Sequence, residues 1–134
     1  MALQHAIMTA LLEDDLSGYE LAKSFDSSLG FFWRASHQQI YQDLRKLSER
    51  GWISGTTVPQ DGKPSKIVYT LNNEGRAGLD AWVLGPSRTL EGKDDLMVKL
   101  YNLSLENAAH LAAELEQRRE QVMARLYLYE RIRR

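Results

Sequence analysis

The sequence predicts a mainly α fold with one small β-hairpin: a winged helix-turn-helix followed by long C-terminal helices. Three observations predict it. Two capping boxes, Ser17 with Glu20 and Ser36 with Gln39, open short helical stretches in the N-terminal part. Two β-rich runs separated by a Pro- and Gly-bearing loop follow at once. The C-terminal stretch then repeats apolar residues at alternating three- and four-residue steps.

Taken in order, Leu3, Ala6, Ile7, Ala10 and Leu11 recur at helical spacing and predict a first helix to about Glu13. Ser17 caps a second helix through Leu21, Ala22 and Phe25, ending near Gly30. Phe31, Phe32 and Trp33 form an aromatic cluster in a connection, read first as core filling. Ser36 caps a third helix with Ile40, Leu44 and Leu47 on one stripe and Gln38, Gln42, Arg45 and Glu49 opposite, flanked by Tyr41. Gly51 closes it. A strand over residues 52–58 and a partner over 66–71 flank a loop at 59–65. A fourth helix starts after Asn72 and stops at Gly85-Pro86. Residues 87–92 read as a linker, and a fifth helix follows around Leu96 to Leu103. From Ser104, a candidate cap, the chain reads as helix to its end.

This pattern divides the chain into a winged helix-turn-helix domain, residues 1–86, and a helical dimerisation region, residues 93–134. Leu105, Ala108, Ala112, Leu115, Val122, Leu126 and Tyr129 fall on one heptad seam, with Arg119 as a charged interruption. A long apolar stripe left wet is costly, so a second copy of the chain is the expected partner. The chain closes on Arg131-Ile132-Arg133-Arg134 in mid-helix, which reads as a reduced or truncated region.

The net charge of −1 speaks mildly against a nucleic-acid binder. Its distribution speaks for one, because residues 34–66 carry six basic and three acidic side chains. Cysteine is absent, so neither a disulfide framework nor a thiolate metal site is expected. No secretory signal and no run of ~20 apolar residues is present, so a cytoplasmic protein without a membrane partner is expected. His5, His37 and His110 lack metal-ligand spacing, and no nucleophile motif or phosphate loop occurs. His5 reads as a helix-surface residue; Asp14-Asp15 and Asp94-Asp95 read as helix-start charge. No enzyme, cofactor or metal is therefore expected.

The third helix has the chemistry of a major-groove reader. Glutamine pairs bidentately with adenine, arginine takes guanine or phosphate, and a capped helix start meets phosphate. The plain alternative is a solvated polar face, as most amphipathic helices have. The hairpin with Lys63, Ser65 and Lys66 near its tip tilts the balance toward DNA. A second reading stays open: a winged-helix module that binds protein or a small ligand and no DNA, suggested by the near-neutral charge and the aromatic density.

The motifs Ser17-Gly18-Tyr19-Glu20-Leu21, Gly30-Phe31-Phe32-Trp33, Ser36-His37-Gln38-Gln39-Ile40-Tyr41, Pro59-Gln60-Asp61-Gly62-Lys63-Pro64 and Val68-Tyr69-Thr70-Leu71 resemble the PadR family of transcription regulators. The stretch from Trp33 to Gln39 is most similar to the branch typified by the virulence-gene activator AphA. The resemblance implies a homodimer on a pseudo-palindromic operator, with reading helices about one DNA turn, ~34 Å, apart. It implies DNA contacts by Tyr19, by Ser36, His37, Gln38, Gln39, Tyr41, Gln42 and Arg45 of the reading helix, and by Lys63, Ser65 and Lys66 of the wing. Relatives also include repressors that answer to phenolic or drug-like compounds, so a small aromatic effector is implied, with Trp33, Trp52 and Trp82 the places to look. Two positions depart from the pattern. Gln42 stands where many relatives carry proline, and Asn72 stands where many carry threonine as the cap of the fourth helix.

Overall fold

The structure, a computed structural model, describes residues 2–27, 33–87, 89–90 and 93–133. The chain divides into two compact units, one ending at Asn102 and one beginning at Leu103.

The first unit contains α1 (Ala2–Ala10), β1 (Leu16–Ser17), α2 (Gly18–Ser24), α3 (His37–Glu49), β2 (Ile53–Gln60), β3 (Lys63–Leu71), α4 (Asn73–Val83), the short pair β4 (Thr89–Leu90) and β5 (Lys93–Asp94), and α5 (Asp95–Leu100). Its core takes in the apolar stripes that helical spacing predicted for the first three helices, and adds Leu79 of α4, which the spacing did not single out. Leu3 and Ile7 of α1, Leu21 and Ala22 of α2, Ile40, Leu44 and Leu47 of α3 and Leu79 of α4 are buried together with Trp33 and Ile53. Each fully buried Leu or Ile contributes about 1.5–3 kcal/mol relative to exposure. That burial fixes which face of α3 points inward and leaves the other face to solvent.

The wing is part of a three-stranded antiparallel sheet, order β1-β3-β2. Leu16 and Ser17 pair with Tyr69 and Val68, an edge too short for sequence periodicity to reveal. The hairpin arms run further than predicted, so the expected loop at 59–65 contracts to Asp61 and Gly62. Only Gly62 is left-handed there, at φ +68, which rules out the type I′ turn that an Asp-Gly pair favours. The register slips between Val58 and Gln60, and the intervening Pro59 has no N–H to give the ladder.

Several expectations need correction. The first helix ends at Ala10, and the Leu11 N–H is shared between the Ile7 and Met8 carbonyls, a tightened last turn. Asp14 and Asp15 lie in the connection before β1 and belong to no helix. His5 is not a surface residue; it is half-buried, its ring stacked on Trp82 at 4.5 Å between centroids. Asn72 makes no side-chain cap on α4. Its Nδ2 instead donates to the Gly51 carbonyl at 3.0 Å and its Oδ1 accepts from Ser54 at 2.9 Å, tying the end of α3 to the wing. The predicted linker contains β4, which pairs with β5 just beyond it. Asp94 does serve as predicted, capping α5 by accepting from the Leu96 N–H at 3.1 Å. The expected helix end at Gly30, the aromatic residues Phe31 and Phe32, and the linker end at Gly92 lie outside the described residues.

Lys99 of α5 is fully buried, which no spacing rule anticipated. Its ammonium donates to the Gly85 carbonyl and the Ser87 hydroxyl, both at 2.8 Å, and lies 5.1 Å from the Trp82 ring centroid. Those partners replace the water that burial removes.

The second unit holds α6 (Ala108–Arg133), ~39 Å long at the standard rise. Helix does not begin at Ser104. Asn107 accepts from the Ser104 N–H at 2.8 Å, and the Ala108 N–H bonds the Ser104 carbonyl, so residues 105–107 form a turn. Leu105 therefore drops off the predicted seam and stands 98% exposed. Among the described residues no helix is long and apolar enough to cross a membrane.

Candidate nucleic-acid interface

Both capping boxes form as predicted. At α2, Ser17 Oγ accepts from the Glu20 N–H at 3.1 Å, and Glu20 Oε1 accepts from the Ser17 N–H at 3.3 Å. At α3, Ser36 Oγ accepts from the Gln39 N–H at 3.2 Å, and Gln39 Oε1 accepts from the Ser36 N–H at 3.1 Å. Ser36→Ala is therefore expected to destabilise the first unit by about 1 kcal/mol, read by thermal melting. A melting point unchanged from the parent would show that another acceptor holds the helix start.

The boxes also sort the predicted contact residues. Gln39 spends its amide oxygen on the cap. His37 Nε2 donates to the Asp26 carboxylate, 2.9 Å and 3.1 Å from its two oxygens, which braces the start of α3 against the end of α2. Gln38, Gln42 and Arg45 are exposed on the outer face of α3 and bond no described side chain. Asp43 is buried within the same helix, with Lys46 at 4.0 Å, a residue the helical wheel did not single out.

Between the start of α2, Tyr41 of α3 and the wing lies an open cleft of about 580 Å³. Five predicted residues meet there: Tyr19, Tyr41, Lys63, Ser65 and Lys66. Ser36, His37, Gln38, Gln39, Gln42 and Arg45 do not line it; they belong to the outward run of α3. Tyr41 sits over Gly18, where an added Cβ would come within 2.7 Å of the ring. That absent side chain lets α2 approach α3.

Sequence reasoning missed Glu20, Ile67 and Tyr69 in this cleft. The period-two alternation of β3 was the available signal, since Ser65, Ile67 and Tyr69 share one strand face. Burial raises the Tyr69 pKa, reinforced by neighbouring Tyr41. Glu20 is held below the usual carboxylate range by its Ser17 hydrogen bonds, with Lys66 adding to the effect. Its contribution to folding is complete above the ordinary carboxylate pKa and is lost as pH falls through the lower folded value.

On α6, Ala112, Leu115, Val122 and Leu126 of the predicted seam are exposed, and Ala108 is half-buried. The Tyr129 side chain lies outside what the structure describes. Met123, Tyr127 and Leu128, also exposed, extend the apolar surface beyond one seam.

Residues 7–81 match the transcriptional regulator PadR-like family, and residues 93–134 match the virulence activator alpha C-terminal region. A probable transcriptional regulator of Mycobacterium tuberculosis is 42% identical over 125 residues, covering 86% of this chain and 66% of the relative. The negative transcriptional regulator PadR of Bacillus subtilis is 39% identical over 103 residues, 76% of this chain and 57% of that protein. The structure of Bacillus subtilis PadR in complex with operator DNA is similar at a TM-score of 0.63 and 34% identity, covering 98% of this chain and 79% of that one. The same protein in complex with p-coumaric acid gives 0.56 at 33% identity, over 98% and 76%. The Vibrio cholerae virulence activator AphA gives 0.54 at 31% identity, over 97% and 72%. The chain thus spans two thirds or less of the length of the curated relatives it matches.

Proposed function

The chain belongs to the PadR-like family of transcriptional regulators, and from that premise we propose that it is a sequence-specific DNA-binding regulator, working as a homodimer on a pseudo-palindromic operator. One observation carries the reading: Gln38, Gln42 and Arg45 stand exposed on a capped helix and bond no described side chain, beside a wing that carries Lys63 and Lys66. In this reading residues 1–86 hold the DNA and residues 93–134 pair the two copies. Gln38, Gln42 and Arg45 read base edges in the major groove, whereas Tyr19, Ser36, Lys63, Ser65 and Lys66 meet the backbone. His37 and Gln39 support the helix start first and contact DNA second, because the Gln39 amide oxygen and His37 Nε2 are already engaged. The protein acts in the cytoplasm and catalyses no reaction.

Selection of bound sites from random duplexes tests this directly. The expected yield is a two-fold-related site with half-sites one helical turn apart, bound more weakly as salt rises. Recovery of no preferred sequence at moderate salt would refute it.

The dimer is tested on α6. Leu126→Glu places a charge within the exposed apolar surface and is expected to shift the solution mass from dimer toward monomer. A parent protein that is monomeric at micromolar concentration would remove the dimer from the reading.

A small aromatic effector is the remaining part. Its support is the resemblance to Bacillus subtilis PadR, solved in complex with p-coumaric acid. Trp33 is buried, Trp52 lies under the Arg50 guanidinium at 3.7 Å, and Trp82 is stacked on His5. Quenching of tryptophan fluorescence by a phenolic acid, with loss of DNA binding, is the expected result.

A further inference from the structure

The wing lysine nearest the body of the domain is not a free cation. Lys66 Nζ lies 3.8 Å from Glu20 Oε1, in the cleft between α2 and the wing. That same oxygen accepts the Ser17 N–H at 3.3 Å. Ser17 in turn pairs with Val68 on β3, the strand that carries Lys66. The carboxylate is thus pinned from behind by the capping box and the sheet, and its place beside Lys66 follows from the backbone. The Ser17 hydrogen bonds lower the Glu20 pKa from its ordinary carboxylate value, which favours the charged form beside Lys66. Both side chains are about half exposed.

A separation of 3.8 Å is a Coulombic contact without a directed hydrogen bond. A phosphate oxygen arriving at ~2.8 Å makes the stronger bond and can take the ammonium over. Until one arrives at the right place, the pair is neutral to the field outside the cleft.

We propose that Glu20 is a positioning residue for DNA: it holds Lys66 as a neutral pair and so withholds this lysine from indiscriminate attraction to the phosphate backbone. The proposal rests on the DNA-binding reading given above. Its consequence is specificity. A free wing lysine adds equally to binding of every sequence, whereas a paired one adds only where the duplex delivers a phosphate in register.

Glu20→Gln isolates the effect, because glutamine at this position keeps the capping box while losing the charge. The probe is a short mixed-sequence duplex, titrated with the full chain over a range of sodium chloride concentrations. The variant is expected to bind this duplex roughly eightfold more tightly at 0.1 M salt, with a log–log salt slope steeper by ~0.9, the mark of one more neutralised phosphate. The double variant Glu20→Gln, Lys66→Gln is expected to return to the parent slope. An unchanged slope in Glu20→Gln overturns the proposal, as does a double variant that stays steep. Parent protein that binds no duplex at any salt concentration would instead remove the DNA reading beneath it.

Discussion

Arg45→Ala is expected to weaken binding to the selected operator by about 1–3 kcal/mol while leaving mixed-sequence duplex nearly untouched. Arg45 sits one turn beyond Tyr41 on α3, exposed, and bonds no described side chain. The stripe of Ile40, Leu44 and Leu47 is buried on the opposite side and fixes its direction. The substitution therefore removes no core contact, and alanine is an excellent helix former, so folding should be unaffected. What is lost is a planar fork of donors that matches one base edge. Lys63→Ala supplies the contrast. It stands at the turn of the wing and is expected to weaken all sequences by a similar factor, lowering the salt slope by about one. Binding of both duplexes at several salt concentrations checks the pair. Equal losses on both duplexes for Arg45→Ala would assign it to the backbone and leave base reading to Gln38 and Gln42.

Gly75→Ala is expected to destabilise the first unit although it replaces the worst non-proline helix former with the best. On an exposed face that change would stabilise α4 by about 1 kcal/mol. Gly75 is buried, and an added Cβ would overlap the Trp52 carbonyl oxygen and come within 2.8 Å of Leu71 Cδ1. The Trp52 backbone cannot yield freely. The Trp52 carbonyl accepts the Asn72 N–H at 2.9 Å, and the Trp52 N–H bonds the Leu47 carbonyl at 3.1 Å. Overpacking against held backbone costs about 1–3 kcal/mol, enough to outweigh the gain in propensity. The melting temperature should fall by several degrees, since ~1 kcal/mol corresponds to 4–8 °C in a unit of this size. A rise in melting temperature would mean that α4 moves away from the wing at little cost.

Much of the candidate site was legible before any coordinates. The capping boxes at Ser17 and Ser36 are local bonds between residues three apart, and both are present as the sequence implies. The amphipathic stripe of α3 follows from helical geometry alone, and so does the outward placement of Gln38, Gln42 and Arg45. The wing strands were legible from their β-branched content, but their reach was not. Pro59 and Pro64 suggested a long loop, yet a register slip accommodates Pro59 and leaves only Asp61 and Gly62 in the turn.

Other features depend on partners distant in sequence. Leu16 and Ser17 become a strand because β3 lies alongside. Asn72 turns from helix cap to brace because the Gly51 carbonyl is within reach of its amide. Lys99 is buried because the Gly85 carbonyl and Ser87 hydroxyl converge on it. None of these has a periodic signature, since each is set by residues that meet only after the chain has folded.

By itself, then, the sequence determined the elements whose causes lie within one or two turns: the capped helices, the buried stripe of α3 and the exposed residues opposite it. Tertiary structure decided what those elements face. It brought Glu20 of α2 beside Lys66 of the wing, across some forty-six positions of sequence, and so set the charge balance of the cleft. The physical reason is range. Capping and amphipathic patterning act between near neighbours, whereas sheet pairing, ion pairing and close packing join residues that no local rule places together.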